Sequence, residues 1–324
     1  MTRICITGAR GFIGGHLVQR LAEDGHALRL AMRAGADAIG HTAALDAIDV
    51  GEIGPATEWQ RALEGCRVVV HLAAETPRPG VPDARFRRVN EEGTARLAMQ
   101  CAEAGVEVLI LLSSVLAVAD NASATVIDDS REARATSPYG RSKRAAEAHV
   151  QAFTGGGRTG VALRAPLVYG ATAKGNWHLL QKLAASGLPL PFGGVRNRRS
   201  AIAVETLCDA IAAVVARSPQ PGPGGAFAVA DSEAVSIADM LRWLRAGMGL
   251  PARLVPLPAG WLRAGLNFAG KGTAANSLFG DLVVDSSRFR AAYGWAPQER
   301  AEDAMRRSGR AFLAGRNRKA ERGV

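Results

Sequence analysis

The stretch that most narrows what this chain can become is Thr7-Gly8-Ala9-Arg10-Gly11-Phe12-Ile13-Gly14. A short apolar run, Ile4-Cys5-Ile6, precedes it, and a helical pattern of Phe12, Ile13, Leu17, Val18 and Leu21 follows. That order is strand, glycine turn, helix, the context that turns a weak glycine spacing into a dinucleotide-binding signal. A turn this tight needs residues without Cβ strain. A second glycine lets backbone amides come close to a ligand. The helix then points its positive end at the turn, where a pyrophosphate fits.

The segments that follow alternate between strand and helix. Ala27–Met32 reads as a second strand and Ala44–Val50 as a third. Thr57 to Leu63 reads as a short helix with Thr57 as its N-cap, and Arg67–Ala74 as a fourth strand. Residues 83–104 carry a long helical pattern, and Glu107–Leu112 is a continuous apolar fifth strand ending at Ser113-Ser114. Residues 120–137 form a polar loop suited to an active-site flap. Pro138 opens a helix at its first turn, and Val161–Arg164 is a sixth strand. Strands apolar throughout, alternating with helices, imply an α/β fold: a doubly wound parallel sheet covered on both faces. Ligands of such sheets bind outside the carboxyl ends of the strands.

Beyond about residue 170 glycine and proline become frequent and elements shorten. Helices are expected at 176–186, 205–216, 236–247 (N-cap Ser236), 286–292 and 299–314, with a short strand at Ser200–Val204 and an ambiguous apolar stretch at 258–280. The expected division is a dinucleotide-binding Rossmann domain at 1–170, then a smaller α/β substrate-binding region at 171–310. That region is interleaved with the last sheet strands, and a basic flexible tail spans 311–324.

Charge first suggests nucleic acid, because the formal net charge is +10. Residues 306–324, however, hold seven Lys/Arg against one acid, so this end accounts for six of the ten charges. No nucleic-acid motif accompanies it. No apolar run reaches membrane-spanning length, and the chain enters a strand at once without a leader, so a cytoplasmic location is expected. The four cysteines, Cys5, Cys66, Cys101 and Cys208, all sit in or beside apolar runs and read as buried free thiols. No metal site is read from the sequence.

Ser114, Tyr139 and Lys143 carry the chemistry. Tyr139 and Lys143 are spaced i, i+4 on one helix face. A phenol with an ordinary pKa near 10 is a poor base at neutral pH. A lysine ammonium one turn away is expected to lower it, and a serine hydroxyl at the neighbouring strand end can orient a substrate oxygen. That set suits hydride transfer at a carbinol or ketone carbon. At the end of the second strand, where an acid often binds the adenosine ribose, stand Met32 and Arg33. Arg33, with Arg10 in the glycine turn, would pair with a 2′-phosphate, favouring NADP over NAD.

With these motifs in place the sequence resembles the extended short-chain dehydrogenase/reductase superfamily, NAD-dependent epimerase/dehydratase type. The matching segments are TGARGFIG (7–14), GEI (51–53), HLAA (71–74), RVNEEGT (88–94), SS (113–114), YGRSK (139–143) and RAPLVYG (164–170). The later GNWHLL, NRRSAIAV and LVVDSSRFRAAYGWAP resemble the branch of UDP-hexose 4-epimerases and nucleotide-sugar 4-reductases.

The resemblance implies a catalytic Ser114, Tyr139 and Lys143, and a pyrophosphate held by Gly8, Gly11 and Gly14 with Phe12 and Ile13 opening the helix. Glu52 and Ile53 would read the adenine. Leu72, Ala73 and Ala74 would line the cofactor, and Pro166, Leu167 and Val168 would lie by the nicotinamide. Asn90 stands near the site or only braces its helix. Asn176 and Arg199 would contact a sugar-nucleotide diphosphate, unless Arg199 only pairs with a surface acid. A homodimer joined through helices 83–104 and 138–153 is expected by analogy.

Three departures narrow the chemistry. Val115-Leu116 replaces the Asp-Glu pair of sugar dehydratases, so dehydration is not expected. Asn276 and Ser277 replace a second phosphate-anchoring arginine. The loop after Ser114 lacks the usual Tyr-Gly. The expected activity is that of a 4-epimerase or 4-reductase of a nucleotide-linked hexose. The alternatives are a reductase of hydrophobic ketones or a non-catalytic dinucleotide sensor.

Overall fold

The computed structural model describes residues 2–35, 44–129, 135–218, 222–268, 270 and 272–321. Seven strands form one sheet in the order β3 (Leu45–Asp49), β2 (Ala27–Met32), β1 (Arg3–Thr7), β4 (Val68–His71), β5 (Val108–Ser114), β6 (Thr159–Ala165) and β9 (Gly225–Ala228). Every neighbouring pair is parallel. A two-stranded parallel sheet joins β7 (Leu167–Tyr169) and β8 (Ala201–Ala203).

The sheet order explains where a ligand can enter. From β1 the chain winds outward to β2 and β3, then returns to β4 on the other side of β1 and winds the opposite way. The two connections leave β1 and β4 in opposite directions, which opens a crevice above their carboxyl ends. Thr7 pairs in register with His71 at that rim.

Helices cover both faces. α1 (Phe12–Glu23) packs on α7 (Val204–Ala216), and between them lies a core of Ile4, Ile6, Leu17, Leu21, Val70, Ile110, Leu207 and Ile211. The other face buries Cys5, Trp59, Leu63, Val69, Leu97, Leu109 and Val150 beneath α2 (Gln60–Leu63), α4 (Gly93–Glu103) and α5 (Pro138–Ala152). A separate core gathers Trp177, Met240, Leu244, Met305 and Phe312 from α6 (Gly175–Ala185), α8 (Ile237–Gly247) and α12 (Ala301–Glu321), with Leu190 from the segment after α6. The last strand, β9, and α11 (Ser287–Tyr293) return Phe227 and Phe289 to the main core.

Several elements differ from the sequence reading. The helix expected at 83–104 is three joined pieces: α3 (Asp83–Phe86), a π turn (Arg87–Glu92) and α4. Thr57 does not cap α2, whose N-cap is Trp59. Its hydroxyl instead accepts from Gly54 N–H and donates to Glu52 O, closing the 52–57 turn. The ambiguous stretch 258–280 is two helices, α9 (Ala259–Phe268) and α10 (Gly272–Phe279). The run read as a tail from 311 instead continues α12 to Glu321, and Phe312 is buried. The flap loop is partly tied down, because Ile127 bridges Val284 and Ser123 N–H donates to Asp281 O; residues 130–134 of it lie outside the described residues. Ser236 caps α8 as expected, in a capping box with Asp239.

Candidate active site

The glycine turn is close-packed against the tip of β4. Gly8 sits at φ +73°, and a Cβ there would meet the Ala73 nitrogen at 2.8 Å. At Gly14 a Cβ would lie 2.2 Å from the Gly8 carbonyl oxygen. Gly11 is the N-cap of α1 and offers no side-chain cap. The first-turn amides are therefore left for an anion, and the residues fit a dinucleotide pyrophosphate. Gly14→Ala is expected to abolish dinucleotide binding and lower the thermal midpoint, since backbone rather than a flexible side chain must move. Calorimetry on the purified variant checks this, and wild-type affinity would refute it.

Thr7 locks the rim above the turn. Its hydroxyl lies 2.7 Å from His71 Nδ1 and accepts from Ala73 N–H at 3.1 Å. Burial, reinforced by the Lys143 charge, pushes the His71 imidazole from 6.5 down to about 3. Folded His71 stays neutral where the unfolded chain takes up a proton, so stability is lost as pH falls from 6.5 towards 3. His71→Asn should flatten that acid limb, by an amount on the order of a few kcal/mol. Urea titrations of both proteins at several pH values test it; equal slopes would refute it.

Arg10 donates to Ala34 O at 3.3 Å and to Gly35 O at 3.1 Å, so it lies over the turn that follows β2. Arg33, in the same turn, is exposed. One acid escaped the sequence reading: Asp49, at the end of β3, pairs in register with Met32 and accepts from Gly35 N–H at 3.2 Å. Glu52 is exposed, 3.7 Å from Arg85, whereas Ile53 packs so tightly that a Cβ on Gly93 would meet it at 2.7 Å. Leu72, Ala73 and Ala74 follow β4 half-buried. Pro166 is buried after β6, and Leu167 and Val168 are half-buried in β7.

Ser114 ends β5, and its hydroxyl accepts from Leu116 N–H at 3.2 Å, starting a single 3₁₀ turn. α5 starts at Pro138 under the Ser137 cap, which accepts from Gly140 N–H at 3.0 Å. A Cβ on Gly140 would lie 2.2 Å from Leu116 O, so only glycine lets α5 approach this turn. That approach brings the Tyr139 phenol to Ser114, whose hydroxyl acts on it in the acidifying sense. Phe86 packs edge-on against the Tyr139 ring, with centroids 6.0 Å apart.

The expected lowering of the Tyr139 pKa by Lys143 is not what the structure gives. Burial dominates and pushes the phenol up to about 12, with Ser114 opposing. Lys143 is itself buried and falls to about 8, with Glu147 opposing. Desolvation is the largest effect on each of the two groups.

Behind Lys143 lies a buried ion pair that the sequence reading missed. Arg164 on β6 binds Glu147 on α5 through both carboxylate oxygens, at 3.0 and 2.8 Å. Ser113 donates to the same carboxylate at 2.6 Å, and Arg144 adds a fourth bond at 3.1 Å. The signal was present: Glu147 stands one turn after Lys143 on the same face.

Asn90 braces the segment after β4 against α5. Its amide donates to Glu75 O and Ser142 Oγ, each at 3.0 Å, and its oxygen accepts from Glu75 N–H at 2.8 Å. Both donors are thereby used inside the protein. On the substrate side Asn176 is exposed in the first turn of α6. Among the described residues Arg199 makes no ion pair, although the Asp281 charge acts on it; Nη1 donates to Asn121 O at 3.1 Å and Gly280 O at 2.8 Å. Burial lowers its pKa. All four cysteines are free and buried.

The sequence profile of the NAD dependent epimerase/dehydratase family matches residues 4–230. A UDP-glucose 4-epimerase of Vibrio cholerae is 30% identical over 97% of both chains. A ceramide reductase of Caulobacter vibrioides is 33% identical over 81% of this chain and 76% of its own. Among solved structures, UDP-N-acetylglucosamine 4-epimerase from Bacillus cereus has a TM-score of 0.77 at 18% identity, covering 97% of this chain and 100% of that one, a likeness of fold. UDP-glucuronic acid 4-epimerase from Bacillus cereus in complex with NAD has a TM-score of 0.75 at 19% identity, covering 97% and 99%. The profile match, the full-length relative and the strand, turn and helix that frame Ser114, Tyr139 and Lys143 agree: the chain is an enzyme of the NAD-dependent epimerase/dehydratase family, within the extended short-chain dehydrogenases/reductases.

Proposed function

We propose that this enzyme reduces a ketone at C4 of a nucleotide-linked hexose, with NADPH as hydride donor. The observation that carries the reading is the approach of α5 to the turn after β5, which sets the Tyr139 phenol beside Ser114 at the rim of the sheet. A phenol held at about 12 is protonated at neutral pH, so it is ready to give a proton to a ketone oxygen. Ser114 orients that oxygen. Lys143, at about 8, is largely cationic at neutral pH and stabilises the phenolate left behind. Water then returns the proton to Tyr139. A bound nicotinamide would supply the hydride to the carbon.

The coenzyme preference rests on Arg10 and Arg33 at the turn after β2. Arg10→Ala and Arg33→Ala are each expected to raise KM for NADPH about tenfold while leaving KM for NADH within about twofold, the cost of one charge-assisted phosphate contact. Initial-rate kinetics check this; equal effects on both coenzymes would refute it.

The nucleotide sugar is supported by the full-length similarity to a UDP-glucose 4-epimerase and by the half-buried Arg199, which makes no ion pair among the described residues. The same similarity favours a second reading, 4-epimerisation. Incubation with NADPH and a UDP-linked 4-ketohexose, followed by NMR of the product, should show one C4 alcohol and one NADPH consumed per turnover. Interconversion of UDP-glucose and UDP-galactose without net NADPH oxidation would instead establish the epimerase. Turnover of a lipid ketone alone would overturn both. A homodimer through the outer faces of α4 and α5 completes the proposal, with sedimentation velocity as its check.

A further inference from the structure

From Met240 to Gly280 the chain carries five basic residues, Arg242, Arg245, Arg253, Arg263 and Lys271, and no acid at all. Of these, Arg245 is buried and Arg242 pairs with the flanking Asp239, which also caps α8 with Ser236; the other flanking acid, Asp281, accepts from Arg198 N–H. In the same stretch the apolar surface is unusually open. Phe268 is 97% exposed and Trp261 74%, with Val255 and Leu257 exposed just before them. Trp261 and Phe268 are seven residues apart on α9, so they stand on one face about two turns apart. Ala264 and Gly265 lie between them on that face, adding no polar group. Ala259 and Leu262 turn the other way and pack on the substrate-side core.

The surface extends onto neighbouring segments. Leu190 bridges Leu254, and Arg253 donates to Gly187 O, which brings exposed Leu188 alongside. A Cβ on Gly194 would touch the Leu257 carbonyl, which sets exposed Arg196 at the border. An aromatic pair on a short helix, bordered by exposed Arg196 and Arg253 and set in a stretch with no carboxylate from Met240 to Gly280, has the composition of an interfacial segment.

We infer that the α9 face docks the enzyme on an anionic lipid surface, with Trp261 and Phe268 entering the headgroup region and Arg196 and Arg253 meeting the phosphates. A second copy is a poor occupant, because a two-fold contact sets like charges against like. Anionic headgroups complement both the rim and the net charge of +10. The site lies next door: α10 ends at Phe279, and the carbonyl of the following Gly280 accepts from Arg199. Docking would therefore bring the substrate side of the enzyme to the membrane.

The test is co-sedimentation of the full chain with phosphatidylcholine vesicles, with and without phosphatidylglycerol. Wild type should bind the anionic vesicles about tenfold more tightly than the neutral ones, less so as salt rises. The double variant Trp261→Ser/Phe268→Ser should lose about tenfold or more while keeping the wild-type thermal midpoint. Arg196→Glu/Arg253→Glu should lose binding to anionic vesicles alone. The inference is overturned if wild type ignores anionic vesicles, or if the aromatic variant binds them equally. It is also overturned if sedimentation velocity shows a wild-type dimer that the aromatic variant abolishes.

Discussion

Tyr139→Phe lowers kcat by about a thousandfold and leaves dinucleotide affinity within about twofold; this is the largest kinetic effect the structure predicts. The substitution removes one oxygen. The ring keeps its edge-on contact with Phe86, and Ser137 still caps α5. What is lost is the proton donor beside Ser114. Single-turnover NADPH oxidation with a 4-keto sugar, beside direct titration of the dinucleotide, separates chemistry from binding. Unchanged turnover would remove Tyr139 from the reaction and reopen the reading as a dinucleotide sensor. Equal loss of binding and turnover would give it a structural role instead.

Arg164→Leu should destabilise the fold by about 3–5 kcal/mol, the cost of leaving a buried carboxylate without its partner. Arg164 is 2% exposed and Glu147 3%. Arg144 cannot replace the missing charge well, since its side chain is 47% exposed and reaches only one carboxylate oxygen. The double variant Arg164→Leu/Glu147→Leu should recover most of the loss, because two apolar side chains of similar size fill the space without a stranded charge. Urea unfolding at neutral pH measures both. A single variant within about 1 kcal/mol of wild type would mean that water reaches Glu147. The pair matters for the site because Glu147 is the acid that opposes the burial penalty on Lys143.

Much of the sheet was legible because its strands are apolar on both faces and bounded by glycine. β2 appears at Ala27–Met32, the limits its composition suggests. α8 was equally readable, since Ser236 and Asp239 form a local capping box. The π turn at Arg87–Glu92 left no such mark. It is associated with long-range bonds, in which Asn90 reaches Glu75 and Ser142, partners 15 and 52 residues away. β7 and β9 were missed for a related reason. At three and four residues they are too short to show a period, and they pair with partners supplied by distant segments. Arg199 was read as a ligand contact or a surface ion pair; the structure shows its Nη1 bonds to two carbonyls from separate loops, which no spacing encodes.

The alternation of strand and helix as far as β6, the glycine turn and the i, i+4 pairing of Tyr139 with Lys143 were set by the sequence alone, because each depends on residues close in the chain. Which groups are charged was decided only by the tertiary structure. The Tyr139 phenol and the Lys143 ammonium answer to how deeply β5, α5 and the turn at Leu116 bury them. Desolvation depends on every atom that displaces water, and most of those atoms come from elsewhere in the chain.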